Sequence, residues 1–271
     1  MKKTILSLFA TLLLAMSVNA QGVSVMSFNI GEDSPAHSWS ARSDAVAGMI
    51  VSESPDVIGL QACPAAVRKD LEKSLPGYSC VELSKRGASD NLILYRSSES
   101  SVLESGSFSL GDKPEKAVSK FSCSTRSCDA VWAVLKLQNG KEVLVINTSL
   151  DENSSEARTL QARLILEKAA SLSKGRPCIL TGTFFCKPSL WSDKDKNGPG
   201  NIFKSSRLLD ARQMALGTDS KPSFTAWGTE SKLEDYIFYS VDGLSANQFR
   251  TIAGPEPLSS HNPIRANLLF K

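Results

Sequence analysis

The sequence predicts an α/β fold in which two β-sheets pack face to face and helices lie outside them. Segments with strand-like and helix-like apolar spacing alternate along the chain and continue to its last residues without a linker. The clearest local pattern is a pair of alternating apolar runs at residues 131–137 and 142–148, joined at Asn139-Gly140. Both turn residues tolerate positive φ, so this pattern predicts a β-hairpin. A single domain over residues 21–271 is therefore expected.

The first half of the chain sets the alternation. Residues 23–28 read as a strand, and residues 39–52 carry apolar side chains at helical spacing. A second strand is predicted at residues 56–61, after which Pro64 is placed to open a helix at its first position. That helix is expected to end near residues 75–77, where a Pro-Gly pair follows a leucine.

The second half repeats the pattern around the hairpin. Ser154 or Ser155 can cap a long helix that runs to about Ser173, and a buried strand is predicted at residues 177–184. The remaining predicted strands are residues 79–83, 91–96, 102–110, 235–240 and 264–270. We take these segments to complete the strand set.

The first twenty residues have the pattern of a secretory signal peptide. Lys2 and Lys3 precede an apolar stretch at residues 5–16, and a small-residue cleavage site ends at Ala20. The apolar stretch is shorter than the ~20 residues that a membrane span requires, and no later segment is long enough. The sequence thus predicts an exported protein, periplasmic or extracellular, with residues 1–20 removed and no transmembrane segment.

Charge gives no indication of a nucleic-acid partner. The chain has 31 Lys plus Arg and 28 Asp plus Glu, and removal of Lys2 and Lys3 leaves these charges almost balanced. Proteins that hold nucleic acid through its phosphates usually carry a basic excess or stripe. A ligand or protein partner is expected instead, but its identity does not follow from the sequence.

Six cysteines lie in the predicted exported part, and an even number permits disulfides in an oxidising compartment. Cys123 and Cys128 are close enough in sequence to close a small loop, whereas a strand would hold Cys178 and Cys186 apart. The six cysteines are Cys63, Cys80, Cys123, Cys128, Cys178 and Cys186. Their spacing does not select one connectivity among the possible ones.

Seven short motifs occur in an order that resembles one enzyme family. They are Ser27-Phe28-Asn29-Ile30, Pro55-Asp56-Val57-Ile58-Gly59-Leu60-Gln61, Asn91-Leu92-Ile93-Leu94-Tyr95-Arg96, Asn147-Thr148-Ser149-Leu150-Asp151, Ile179-Leu180-Thr181-Gly182, Glu234-Asp235-Tyr236-Ile237-Phe238 and Ser260-His261-Asn262-Pro263-Ile264. Together they resemble the endonuclease/exonuclease/phosphatase family, with its deoxyribonuclease I-like fold, over essentially the whole exported chain. The resemblance implies a four-layer α-β-β-α sandwich of two packed mixed sheets, with the active site where the strand ends of both sheets meet.

Three of the nine family site positions that can be placed are retained. Asn29 stands where the family has its phosphate- and metal-site Asn, and Asp235 with His261 matches the family's Asp–His pair. Family members hydrolyse phosphate esters with a divalent cation held by carboxylate oxygens. The retained residues are the expected remnants of that site, and each also has a purely structural interpretation.

At the other six positions the sequence has a different residue from the one that the family pattern has there. Ala62 replaces the metal-binding Glu, Cys128 replaces an Arg expected four residues before Trp132, and Ser149 replaces the first His. In the family motif Gly-Asp-Phe-Asn, Thr183 replaces the Asp and Phe185 replaces the final Asn. Ser260 replaces the Asp of the motif Ser-Asp-His. The Phe185 ring is expected to fill space that a phosphate would need. Asp90 and Asp151 are expected to be surface or turn residues, and His37 to lie in a loop without a site role.

The degenerate motifs lead to three hypotheses. The first is a catalytically inactive pseudoenzyme that binds a ligand or partner, because Mg²⁺ usually needs one or two protein carboxylates and several were lost together. The second is a divergent metal-dependent phosphodiesterase or phosphomonoesterase that uses Asn29, Asp235 and His261, with Mg²⁺ or Mn²⁺. The third is a serine hydrolase, because Ser149, His261 and Asp235 have the composition of a nucleophilic triad.

One further pattern suggests a cation. Asp193, Asp195 and Asn197 alternate before a Gly, as in the first half of a calcium loop, but the twelfth position is Lys204 instead of Glu. We expect a solvated loop there, and no cofactor under the first hypothesis. Cys63, Cys128 and Cys186 each fall at or beside a former site position, which leaves open either a disulfide across the cleft or three separate thiols.

Overall fold

A computed structural model describes residues 22–81, 90–186 and 198–271, which form two six-stranded mixed sheets. The first sheet has the order β11-β12-β1-β2-β4-β3. Its strands are β1 (Gly22–Asn29), β2 (Val57–Gln61), β3 (Tyr78–Cys80), β4 (Leu92–Arg96), β11 (Leu244–Thr251) and β12 (Ile264–Phe270). Within it β1 and β2 are parallel, and the other neighbouring strands are antiparallel.

The second sheet has the order β5-β6-β7-β8-β10-β9. Its strands are β5 (Ser100–Ser109), β6 (Asp129–Leu137), β7 (Glu142–Ser149), β8 (Cys178–Thr183), β9 (Leu208–Asp210) and β10 (Asp235–Ser240). Here β7 and β8 form the parallel pair. The predicted hairpin is β6–β7, and Gly140 adopts φ 78° in its turn, as the Asn-Gly pattern indicated.

Helices cover both outer faces. The helices are α1 (Trp39–Glu53), α2 (Ala65–Ser74), α3 (Ser155–Ser173), α4 (Pro199–Ser205) and α5 (Ala211–Met214). One buried apolar cluster joins the two sheets, a second packs α1 and α2 on the first sheet, and a third packs α3 and α4 on the second. The four-layer α-β-β-α sandwich is therefore confirmed.

The prediction of the strand set was incomplete. It missed β9, which has only three residues, and β11, whose mixed polar sequence is interrupted by a bulge between Ala246 and Gln248. Pro64 also lies one position earlier than predicted, as the N-cap of α2. Ser154 does cap α3, because its side chain accepts a hydrogen bond from the Ala157 backbone N–H.

Two predicted features lie outside the described residues: the signal peptide at residues 1–20 and the calcium-loop residues Asp193, Asp195 and Asn197. In the part of the chain that the structure does describe, no helix is both long and apolar enough to cross a bilayer.

A buried polar network connects the two sheets beneath the family motifs. Gln61 donates to Asn147 Oδ1 at 2.6 Å and to Ser27 Oγ at 3.1 Å, and Thr181 donates to the same Asn147 oxygen at 2.9 Å. Asn147 in turn donates to the Leu60 carbonyl at 2.7 Å. These bonds fix the ends of β1, β2, β7 and β8 relative to one another, and thus position the residues that follow them.

Gly59 is required where this network crosses between the sheets. A Cβ at this position would lie 2.1 Å from Thr181 Oγ1 and 2.5 Å from Asn147 Oδ1. We expect Gly59→Ala to lower the free energy of unfolding by about 2–4 kcal/mol, because it overpacks the interior and breaks buried hydrogen bonds. Urea denaturation measures the change.

Gly48 provides the matched control, because it lies in α1 and a Cβ there meets nothing within 4 Å. Gly48→Ala should raise the free energy of unfolding by about 0.5–1 kcal/mol through helix propensity. Equal effects of the two substitutions would contradict the role given to Gly59.

Candidate functional site

The retained residues meet at one end of the sandwich, where strand ends of both sheets come together. Asn29 ends β1, Thr183 ends β8, Asp235 begins β10, and His261 precedes β12. Strand pairing aligns Thr183 with Asp235 on one side and with Ser149 on the other. The structure therefore brings Asn29, Thr183, Asp235 and His261 together at this end of the sandwich.

A continuous chain of hydrogen bonds runs through the site. Asn29 Nδ2 donates to Thr183 Oγ1 at 2.9 Å, and the Thr183 hydroxyl donates to Asp235 Oδ1 at 2.7 Å. The other carboxylate oxygen, Asp235 Oδ2, lies 2.8 Å from His261 Nδ1. All four side chains are buried, with His261 only 5% exposed. The neutral hydroxyl of Thr183 thus occupies the place between Asn29 and Asp235 that the family gives to a carboxylate.

The surroundings of His261 favour its protonated form. Burial alone would lower the pKa of the imidazole, but the charge and hydrogen bond of Asp235 outweigh burial and raise it, with Glu234 and Glu152 adding to the effect. Because a carboxylate only accepts, Nδ1 carries the proton in this pair. The edge of Phe224 packs on the imidazole, with ring centroids 4.8 Å apart.

The backbone around two replaced positions keeps an unusual conformation. Ala62 has φ 50° and Phe185 has φ 48°, in the left-handed region that favours Gly and Asn. The half-buried Phe185 ring belongs to none of the three apolar clusters of the described residues. Gly or Asn would adopt these backbone angles at a lower conformational free energy than Ala62 or Phe185 does.

The structure separates the members of the proposed nucleophilic triad. Ser149 accepts a hydrogen bond from Arg126 Nη2 at 3.1 Å, and within the described chain no hydrogen bond joins Ser149 to His261. Ser260 is half-buried, and its carbonyl accepts from the backbone N–H groups of Thr225 and Ala226. The serine hydrolase hypothesis therefore has no geometric support.

Cys128 does not face the site. Its side chain packs in the cluster between the second sheet and α3, and burial raises the pKa of its thiol to about 11. Arg126, two residues earlier, does reach the site, where its guanidinium bonds Ser149 and the Leu150 carbonyl. The prediction missed Arg126 because it counted back from Trp132 at a fixed spacing, whereas the loop before β6 places the arginine differently.

Asp151, predicted to be a surface or turn residue, lies in the turn between β7 and α3 and is fully buried there. Burial would raise the pKa of this carboxyl, yet hydrogen bonds from the Thr125 hydroxyl and from four backbone N–H groups hold it below its ordinary value. Asp151 therefore fixes the loop that carries Arg126 to the start of α3. Asp90 is exposed, in agreement with the prediction.

The cysteines form no disulfide in the structure, although their even number suggested one. Cys63 packs with α1 and α2, whereas Cys128 and Cys186 lie on the opposite side of the sandwich with α3. A disulfide across the cleft from Cys63 is therefore excluded by position. Burial raises the pKa of the Cys178 thiol to about 12, so it is also unreactive.

His37 lies in the loop before α1, as predicted, and its ring stacks on Trp227 with ring centroids 3.8 Å apart and planes within 5°. Arg42 lies over the Trp227 ring at 5.4 Å and donates to the carbonyls of Ile30 and Leu258. Trp227 also has φ 61°. This aromatic pair holds the loop after Phe224 against the chain that follows Asn29.

A family model described as "Endonuclease/Exonuclease/phosphatase family" matches residues 26–261 of the sequence. The chain belongs to the endonuclease/exonuclease/phosphatase family. A sequence comparison with curated proteins finds no match.

Solved structures of the family share the fold. An endonuclease/exonuclease/phosphatase from Bacteroides vulgatus is 24% identical with a TM-score of 0.83, covering 92% of this chain and 99% of that one. A mannosyl-6-phosphatase from Bacteroides thetaiotaomicron is also 24% identical with a TM-score of 0.81, covering 92% and 100%. D. rerio TDP2, complexed with a single-strand DNA product, is 19% identical with a TM-score of 0.72, covering 91% and 98%.

The side chains of this family member do not fit a divalent cation at the site. Ala62 offers no ligand, both oxygens of Asp235 are used by Thr183 and His261, and Asn29 Oδ1 accepts the Gly31 N–H at 3.0 Å. Among residues 22–81, 90–186 and 198–271, no group of three or more His, Cys, Asp or Glu is arranged to hold a metal. Mg²⁺ needs near-octahedral oxygen ligands, which this set does not supply.

The raised pKa of His261 predicts a pH-dependent stability. The protonated imidazole is favoured in the folded state, so its contribution is complete below the ordinary value of 6.5 and is lost as pH rises through the higher folded value. We expect the difference in unfolding free energy between wild type and His261→Gln to be largest below pH 6.5 and to shrink as the pH rises above that value.

Urea denaturation of both proteins below and above pH 6.5 measures the difference. Asp210, whose pKa burial raises to about 6, contributes equally to both and therefore cancels. A difference that stays constant or grows with pH would show that Asp235 does not stabilise the imidazolium.

The left-handed backbone at Ala62 predicts a stabilising substitution. Ala62→Gly should raise the free energy of unfolding by about 0.5–1 kcal/mol, because Gly adopts φ 50° without steric cost. Ala45→Gly, at an exposed position within α1, should lower it by about 1 kcal/mol. Thermal or urea denaturation measures the change in unfolding free energy for each variant. A change of the same sign in both variants would refute the strain at Ala62.

Proposed function

We propose that this protein is a non-hydrolytic member of the endonuclease/exonuclease/phosphatase family, a pseudoenzyme that acts by binding a ligand or partner. The observation that carries the proposal is the Thr183 hydroxyl, which bonds both Asn29 and Asp235. The two groups that would face a metal and a phosphate are therefore bound to each other through a neutral side chain.

The energetics support loss of hydrolysis. A positioned acid or base contributes about 10²–10⁴ in rate, and one preorganised charge-stabilising donor about 10²–10³. Ala62, Ser149 and Thr183 each remove such a group from the positions that the resemblance assigns. Several losses at one site leave little catalysis even though their effects are not additive.

The Asp235–His261 pair is compatible with this proposal as a structural element. Removing one member of a buried hydrogen-bonded pair leaves the other unsatisfied, at a cost of about 1–3 kcal/mol or more for a charged group. The pair can therefore persist after catalysis is lost. We also propose export to the periplasm or the cell exterior, on the basis of the charged, apolar and small-residue pattern of residues 1–20.

A second candidate is a divergent phosphoesterase. Two observations favour it: the imidazole of His261 is held by Asp235 with its pKa raised, and the Arg126 guanidinium lies at the Ser149 position. A positive charge there could hold a phosphate. The Bacteroides thetaiotaomicron mannosyl-6-phosphatase, at 24% identity, is consistent with a phosphate monoester as substrate under this candidate.

Hydrolysis assays separate the two candidates. With Mg²⁺ or Mn²⁺ and a panel of phosphodiesters and sugar phosphates, we expect wild type and His261→Ala to be equally inactive. Calorimetric titration with Mn²⁺ should likewise show no saturable binding that depends on Asp235. Turnover that disappears in His261→Ala would establish the second candidate.

A restored variant supplies the positive control in the same fold. Ala62→Glu, Ser149→His, Thr183→Asp and Phe185→Asn together return four groups that the resemblance assigns to the family site. We expect this variant to exceed wild type by at least about 10²-fold in metal-dependent turnover, and to lose the gain when His261→Ala is added.

A further inference from the structure

A second cavity, of about 650 Å³, lies at the end of the sandwich opposite His261. It is lined by Gly22, Val23 and Ser24 at the start of β1, by the β6–β7 turn, and by the last residues of β12. Asn29, at the other end of β1, is about 23 Å away at the rise of an extended strand. The cavity is therefore independent of the family site and shares no residue with it.

Two guanidinium groups line the cavity, and that of Arg96 also donates to the Ser54 carbonyl. Arg96 Nη2 lies 3.5 Å from Asp56 Oδ1, and Arg265 Nη1 lies 3.4 Å from Glu53 Oε2. Both distances exceed the ~2.7–2.9 Å of a good charge-assisted hydrogen bond. Glu99 also lines the cavity, so the cavity has three carboxylates (Glu53, Asp56 and Glu99) and only two guanidinium groups.

Four of the eight buried side-chain atoms that lack a hydrogen-bond partner in the described part of the chain belong to residues of this cavity. They are Nε of Arg96, Nε of Arg265, Oγ of Ser100 and Oδ1 of Asn267. Leaving such a group unsatisfied costs about 1–3 kcal/mol, so native proteins rarely keep several in one place without a function. Each of the four atoms is buried, so its contact with a ligand in the cavity requires its side chain to rotate.

We propose that this cavity binds a neutral saccharide. The unsatisfied set combines donors, from Arg96, Arg265 and Ser100, with an acceptor, from Asn267. Hydroxyl groups of a sugar both donate and accept, so they complement all four atoms. Gln138 and Asn247 add amide groups that offer the same double capacity.

The charge of the lining argues against an anion. A phosphate or carboxylate could satisfy the two guanidinium groups, but it would meet Glu53, Asp56 and Glu99 and the acceptor oxygen of Asn267. An apolar ligand would leave all four polar atoms unsatisfied.

The test is a titration of the protein with neutral mono- and oligosaccharides, followed by ligand-observed NMR and by amide chemical shifts. We expect millimolar or tighter binding of at least one saccharide. Amide shifts should change at residues 22–24 and 137–139 and not around His261. Inorganic phosphate, the anionic probe, should not compete.

Variants locate the binding. Asn267→Ala and Ser100→Ala should each weaken it about three- to tenfold through one lost hydrogen bond. Gln138→Trp, at an exposed turn position on the cavity rim, should block it without altering the core. Arg126→Ala, at the family site, is the control and should leave saccharide affinity unchanged.

Three outcomes would overturn the inference. They are the absence of binding across the saccharide panel, binding that Arg126→Ala abolishes while Gln138→Trp does not, and displacement of the saccharide by inorganic phosphate. The amide shifts report on wild type alone, so the inference stays testable even if Asn267→Ala or Ser100→Ala fails to fold.

Discussion

The hydroxyl of Thr183 donates to Asp235 and accepts from Asn29, and through Asp235 it also sets the orientation of His261. A carboxylate at this position would face the Asp235 carboxylate at hydrogen-bond distance, and the repulsion would have to be compensated by a cation. Thr183 removes the repulsion and closes the chain of hydrogen bonds without a metal. Side-chain hydrogen bonds therefore account for the Asn29 amide N–H and for both oxygens of Asp235.

The backbone is strained at two replaced positions of the site. Ala62 and Phe185 have left-handed φ values at positions that the resemblance assigns to a metal-binding Glu and a terminal Asn, and Asn is among the residues that tolerate this region best. Ala226 and Trp227 add two more positive φ values beside the same cleft. Such strain persists where surrounding packing determines it, here through the network of Gln61 and Asn147 beneath the strand ends.

Sequence patterns predicted those parts of the fold whose signal is local or whose motifs are complete. The Asn139-Gly140 hairpin and the Ser154 cap are decided within a few residues, and the strand-end motifs placed Asn29, Thr183 and Asp235 side by side. The short β9 and the bulged, polar β11 carry too little apolar periodicity to be recognised. Asp151 and Arg126 escaped prediction for another reason: their roles come from loop conformation, which residue spacing does not encode.

Both ends of the sandwich contain buried polar groups, and one beneath the family site, Gln61 Oε1, also lacks a hydrogen-bond partner. At the family site, hydrogen bonds among protein side chains account for both oxygens of Asp235, so a ligand there gains little from the carboxylate. At the opposite end, Arg96, Ser100, Arg265 and Asn267 keep buried atoms without partners beside a cavity. Unsatisfied buried groups lower stability, and only an added molecule recovers that free energy. Binding at the second end would thus stabilise the fold.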